Sequence, residues 1–491
     1  MLSISALWVL FLVISGNYVP PADGYVTWPA PEGFDWIFRP TEGVFLTWPL
    51  FVATGILLWY FARQQLSPSR SLSLHLAGII ALGLLFRVIF LPHISGDYMW
   101  YVQTWVGHIR DSGMGGFITS GADYNVPYLY TLWLIARFPI PDLGLIKLAS
   151  VLGDALLAVT GAAIVMHIVR QQANAANQPA SNLPGIIAFA ILWLLPTFIL
   201  NSSYWAQSDS IYVAFCALAL LFAMKHRPIL CVLAASIAFS FKLQTVFFLP
   251  MLLVFLFTRK IKLRHLLIFP VFQVLVVVPA LLARIPAGHL FGVYFRQMGV
   301  RAQVLTMDAP TALAILEHLT SNLYVPVIRL VFIGITFLFT FLALAIAFVQ
   351  RNILVENDYA LALTAMVFAI LIPFFLPQMH DRYFYMAEFF AIVVAAVSIS
   401  RWYLPALVTL ASMVSYITYL QNFGMRGILF NRPMHIAAIG MGIALIIAII
   451  FWLKQIFPEF GYVSDVITDH EDDRVSLSGE RPISVTAGPA A

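Results

Sequence analysis

Apolar runs of roughly 17 to 25 residues, the length a helix needs to cross the hydrocarbon core of a bilayer, recur along the whole chain. They fall near 3–19, 43–62, 72–92, 144–168, 185–201, 207–224, 266–283, 327–349, 359–376, 385–400, 404–420 and 434–453. The pattern predicts an all-α polytopic membrane bundle with about 12–14 membrane helices. One apolar segment departs from it. Residues 229–257 carry Lys242 and Gln244 near their middle and have basic flanks on both sides, MKHRP before and TRKIKLRH after. Like flanks put both ends on one side of the membrane, so the segment reads as a broken hairpin of two half-helices with FKLQ at the turn. Broken backbone at membrane depth is tolerated where it lines a protein cavity.

Composition agrees with this class: of 491 residues 61% are hydrophobic and 10% charged, more apolar surface than a soluble fold of this length hides. The net charge of +4 comes from scattered basic residues rather than a stripe, which excludes nucleic acid as the expected partner. Membrane lipids are the expected surroundings. The basic residues act instead as topology signals: ARQQLSPSR, MKHRP, TRKIKLRH and Lys454 are cytoplasmic by the positive-inside rule. Arg284, Arg296, Arg301, Arg382, Arg426 and Arg432 then lie on the opposite side and ask for another reason. Residues 1–455 form the transmembrane domain, with 93–143 an extracytoplasmic loop bearing amphipathic helices. The opening MLSISALWVLFLVISG has no Lys or Arg before its apolar centre and reads as a first span, with cleavage left open. Residues 456–491, which include Asp465, Asp469, Glu471, Asp472 and Asp473, read as a disordered acidic cytoplasmic tail.

Alternating the spans brings Asp97, Asp123, the SSYWAQSDS turn around Asp209, the FKLQ turn, the Arg-bearing loop 284–301 and LPQMHDRYF to one extracytoplasmic face. Each polar residue has a bland reading beside a chemical one. Asp97 is either a general base or the N-cap of the helix that follows it. Arg87, inside a span, either meets an anion or polar cavity or snorkels to the interface. His380 and Arg382 either hold a phosphate or anchor the interface, with Asp381 paired to Arg382. Gln207 and Asp209 open a helix, where Asp209 suits the positive end. Lys242, near a helix break, faces a cavity or an anion. Asp123, Tyr124 and Asn125 combine polar groups with an aromatic face as sugar sites do, and are ordinary turn formers as well. Cys216 and Cys231 sit in apolar runs, no ligand spacing suits a metal, and no phosphate-binding glycine loop is present. Neither metal nor cofactor is expected.

Taken together, GDYMWYVQTW after an Arg-bearing helix, DYNVPYLYTLWL, SSYWAQSDSIYVAF, FKLQTVFFLP and LPQMHDRYFY resemble the GT-C glycosyltransferases, most closely bacterial relatives of the GPI mannosyltransferases. The resemblance covers about residues 72–400. It implies an inner-membrane enzyme that moves a hexose, such as mannose, with inversion from a polyprenyl-phosphate sugar donor to a glycan or lipid-linked acceptor on the extracytoplasmic side. It makes Asp97 the catalytic base and Arg87, Lys242, His380, Arg382 and Arg296 or Arg301 the donor-phosphate ligands. Tyr98, Asp123, Tyr124, Asn125, Gln207, Asp209 and Gln244 would meet sugar or acceptor. The chain departs from the family pattern at Tyr98, where many members carry a second acidic residue, and at Asp381, where relatives carry Glu in MHERY. A transporter or flippase of a lipid-linked or anionic substrate is the rival, and a non-catalytic assembly subunit a third reading.

Overall fold

The computed structural model describes residues 45–300, 304–320, 324–422 and 434–457. The expected span 3–19, Arg301, Arg426, Arg432 and the tail beyond Phe457 lie outside them. The described chain is almost entirely helical, and it is a multi-pass membrane protein. Its principal helices are Trp48–Leu66, Arg70–Ile89, Asp142–Ala175, Leu183–Leu194, Asp209–Met224, Pro228–Phe241, Ile268–Leu282, Val325–Val349, Asp358–Phe375, Tyr385–Val397, Tyr403–Asn422 and Met434–Ile456. Each expected span within the described residues falls on one of them, except 185–201, which is broken at Leu195 into Leu183–Leu194 and Pro196–Tyr204.

The count of spanning helices differs from the expected 12–14. Among the described residues six helices are long and apolar enough to cross a membrane by length and composition, or seven if one bent pair counts as a single span. Others are too short: Asp209–Met224 has 16 residues and rises about 24 Å, less than the ~30 Å core. In Asp209–Met224 the shortening comes from polar sequence inside the bundle. This helix starts at a carboxylate that is itself buried, so the polar end of the element lies within the protein rather than at its rim.

Asp142–Ala175, Leu183–Leu194 and Asp209–Met224 pack together at the centre, with Tyr385–Val397 against the first two. Asp358–Phe375 is almost wholly enclosed, whereas Leu263–Leu282 and Val325–Val349 turn most of their side chains outward. Those outward side chains, Phe337, Phe341 and Leu330 among them, are exposed and apolar, as a lipid-facing surface requires. Of the basic run TRKIKLRH, Arg259, Lys262 and Arg264 are exposed, but Lys260 is buried and its Nζ lies 2.8 Å from Asp358 Oδ1. Lys260 is therefore a structural partner as well as part of a topology signal.

The central helix pair is bent by 45° between Leu194 and Pro196. Pro196 has no N–H to continue the ladder, and Leu195 before it is extended (φ −62°, ψ 125°), as the residue preceding proline prefers. The carbonyl of Trp193 is freed and accepts from Arg87 at 3.0 Å. The Arg87 guanidinium also lies 3.8 Å over the Trp193 ring and bonds Asp154 Oδ2 through Nε at 3.2 Å and through its second terminal nitrogen at 2.7 Å. Gly83 permits this approach: a Cβ there would fall 2.2 Å from Trp193 Nε1. Gly83→Ala is expected to push the indole off both Arg87 and the Ile80 carbonyl it bonds. The expected cost is about 1–3 kcal/mol, read as a lower melting temperature of the detergent-solubilised protein.

Candidate functional site

Four separated stretches meet at one end of the central helices. Asp97 follows the Arg70–Ile89 helix, Trp205 and Gln207 lie in the turn before Asp209–Met224, Lys242 ends Pro228–Phe241, and Asp381 and Arg382 precede Tyr385–Val397. The FKLQ break stands where the sequence placed it: the helix stops at Phe241, Lys242 is extended (φ −151°, ψ 135°), and a 3-10 turn Leu243–Phe247 follows.

Asp209 stands in the first turn of its helix, at the positive end it suits, but Asp97 is not the cap that its position allowed. Asp97 already has helical dihedrals (φ −62°, ψ −39°) and its side chain makes no capping bond, whereas an N-cap needs extended backbone. Its Oδ2 instead accepts from Trp205 Nε1 at 3.0 Å and from Gln207 Nε2. Asp209 is fully buried, and its oxygens take Lys242 Nζ at 2.6 Å and Asn201 Nδ2 at 2.9 Å. Arg382 joins the two acids: Nε is 3.4 Å from Asp209 Oδ2 and a terminal nitrogen 3.7 Å from Asp97 Oδ2. The same nitrogen is 3.5 Å from Asp381 Oδ1, and the guanidinium lies 5.3 Å over the Trp205 ring. Tyr124 completes the rim, its ring 5.6 Å from Lys242 Nζ and its hydroxyl 3.5 Å from Gln207 Oε1.

Two strained backbone positions border the site. Ala206, between the two residues that hold Asp97, and Gln378, three residues before Asp381, both have φ of +64°, a region costing a non-glycine residue on the order of 1–3 kcal/mol. Two π-helical turns, Tyr98–Val102 and Leu200–Tyr204, flank the same contact, and such turns concentrate at functional sites.

Burial opposes the charge on Arg382, but Asp209, Asp97 and Asp381 outweigh it and hold the guanidinium ionised. Burial pushes the Asp381 carboxyl up to about 8, against the pull of Arg382 and with Asp97 and Asp308 adding to the rise. Between about pH 4 and 8 the folded chain therefore keeps a proton that the unfolded chain has lost, so Asp381 weakens the fold progressively as pH rises through that window, and no further above it. Asp381→Asn is expected to gain in melting temperature over the wild type between pH 5 and 8, with the gain levelling off above about 8.

The remaining sequence candidates separate into groups. Gln244 is buried beside Tyr383, and its Oε1 has no hydrogen-bond partner. His380 occupies the short strand Met379–His380, paired in parallel with Thr306–Met307, and its ring is 5.1 Å from that of Tyr383. Asp123 is exposed. Asn125 serves the helix Val126–Ile135, accepting from the Val126 N–H at 2.8 Å. Two assignments are corrected, those of Arg87 and Tyr98. Arg87 is fully buried and its donors go to Asp154, Gly83 and Trp193, so none is directed to a donor phosphate. Tyr98 is buried on the side of Asp142 and Arg110, because one helical step of about 100° turns it away from Asp97. Arg296 is exposed and bonds the His289 carbonyl at 2.8 Å.

Trp205, Asn201 and Asp154 were missed. Trp205 stands inside the quoted SSYWAQSDS turn, where an indole among hydroxyls and amides was the available signal. Among the described residues no three His, Cys, Asp or Glu side chains converge as metal ligands would. No protein-family model and no curated protein matches the chain.

Proposed function

We propose that this chain is an inverting glycosyltransferase of the extracytoplasmic membrane face, with a polyprenyl-phosphate hexose as donor and Asp97 as general base. One observation carries the reading. Of the three carboxylates around Arg382, Asp97 is the one solvent reaches, its side chain 20% exposed against 0% for Asp209 and 3% for Asp381, yet two side-chain donors fix its orientation.

A base needs that combination of access and fixed aim. Asp97 takes the proton of an acceptor hydroxyl, the hydroxyl oxygen attacks the anomeric carbon from the face opposite the carrier, and the C1–O bond to phosphate breaks with its electron pair leaving on the polyprenyl phosphate. Arg382 suits the leaving group. Its contacts of 3.4 to 3.7 Å are longer than the 2.7–2.9 Å of charge-assisted bonds, and its Nε has no hydrogen-bond partner. A phosphate oxygen supplies what the carboxylates do not. Lys242 acts one step back, its ammonium committed to Asp209.

The level of the site in the bilayer fits a lipid-borne donor. Trp100 and Tyr101, just after Asp97, are about half exposed, and such aromatics sit at the headgroup level. Exposed Lys225 and Arg227 follow the far end of the Asp209–Met224 helix, which supports assigning that basic end to the cytoplasm and the Asp209 end to the opposite side.

The test is transfer of radiolabelled sugar in membranes given a panel of polyprenyl-phosphate hexoses. Label appearing in a new glycan, lipid-linked or otherwise, supports the reading. Carrier moved across vesicle membranes with its sugar still attached, and no transfer with any donor, replaces it with the flippase.

A further inference from the structure

Asp97 stands at the end of an arch, residues 90–97, and the arch is fastened by an ammonium that has no role in the chemistry above. Lys147 lies in the second turn of the Asp142–Ala175 helix and is fully buried. Its Nζ donates to the Phe90 carbonyl at 2.8 Å, to Leu91 at 3.0 Å and to His93 at 2.6 Å. Those three carbonyls match the three N–H donors of an ammonium. They belong to the C-terminal exit of the Arg70–Ile89 helix, where carbonyls lose their intrahelical partners and the helix dipole is negative. Lys147 therefore caps that helix from another one and fixes the direction in which the chain leaves it.

The far side of the arch is pinned separately. Ser95 Oγ donates to the Trp205 carbonyl at 2.6 Å and accepts from the Tyr98 N–H at 3.2 Å. His93 stacks on Tyr204 at 3.5 Å between centroids. The arch is thus held to the same turn whose Trp205 and Gln207 orient the Asp97 carboxylate.

We propose that Lys147 is a positioning residue for Asp97, acting through the backbone of residues 90–97 without touching substrate. The proposal rests on reading Asp97 as the base, and its test keeps the two apart. Hydrogen exchange of the purified full-length protein is compared for wild type, Lys147→Met, which keeps the length and removes the donors, and Ser95→Ala, a smaller deletion that loosens the arch from its other end. Steady-state transfer is measured on the same samples.

In Lys147→Met the amides of residues 91–99 are expected to exchange at least about tenfold faster with the other central helices unchanged. Turnover is expected to fall about a hundredfold, the scale of an ångström-sized misplacement, with the KM for donor within about twofold. Ser95→Ala is expected to show the same local exchange pattern with a smaller loss. Unchanged exchange in 91–99 overturns the proposal, and so does faster exchange there with turnover intact. Should Lys147→Met fail to fold, Ser95→Ala decides by the same two readouts. Should the wild type transfer no sugar from any donor, it is the function that falls, while the exchange data still report whether Lys147 sets the arch.

Discussion

Replacing Asp97 by Asn is expected to slow transfer about a hundred- to ten-thousandfold, the range a general base contributes. The substitution is nearly isosteric, and an amide oxygen in place of Oδ2 can still accept from Trp205 and Gln207. What it removes is basicity and one of the negative charges facing Arg382. The KM for donor should accordingly hold or fall, since Arg382 becomes freer to meet a phosphate, and the loss should appear in kcat. A loss well beyond ten-thousandfold would show that Asp97 also orients substrate. An equal rate in both proteins would remove Asp97 from the chemistry and leave Asp209 and Asp381 as the carboxylates beside Arg382. The measurement is initial rate at matched expression across a range of donor concentrations.

The helices were legible because span length and hydropathy are local properties: each run predicted within the described residues became helical, 185–201 with a break at Leu195, and the break at Lys242 was marked by a charge inside an apolar segment. The meeting of Asp97, Asp209, Lys242 and Arg382 was legible more indirectly, through alternation of spans, since all four flank the same end of their helices. What failed were the pairings. Arg87 was visible as an intramembrane cation, but its partner Asp154 lies 67 residues away, in a span whose average hydropathy hides one carboxylate. An Arg and an Asp each too costly alone in apolar surroundings form the signal that would have joined them. Lys147 gave no such signal, because its partners are backbone carbonyls and those are present at every position. The capping reading of Asp97 failed for a different reason. A cap is decided by dihedrals that tertiary contacts set, here the reach of Asp97 to Trp205 and Gln207.

The largest effect on stability is expected at Asp154. Both side chains of the Arg87 pair are wholly buried, and removing one partner of such a pair costs about 3–5 kcal/mol. The two deletions should not be equal. Without Arg87, Asp154 keeps Ser202 Oγ at 2.6 Å and Tyr385 Oη at 3.2 Å and can take up a proton. Without Asp154, Arg87 retains its charge, since a guanidinium does not deprotonate in proteins, and keeps only the Gly83 and Trp193 carbonyls and the Trp193 ring. Asp154→Leu is therefore expected to destabilise more than Arg87→Met. The double variant should recover much of the loss, because apolar replacement of both members of a buried pair is often close to neutral. Thermal unfolding of the purified proteins in detergent checks the order. If Arg87→Met proves the worse of the two, or the double variant the worst of the three, the pair is not a charge-balancing strut. The same series bears on function: the bent helix pair held by Arg87 leads directly into Trp205 and Gln207, so a folded double variant that still transfers sugar would confine Arg87 to holding that bend.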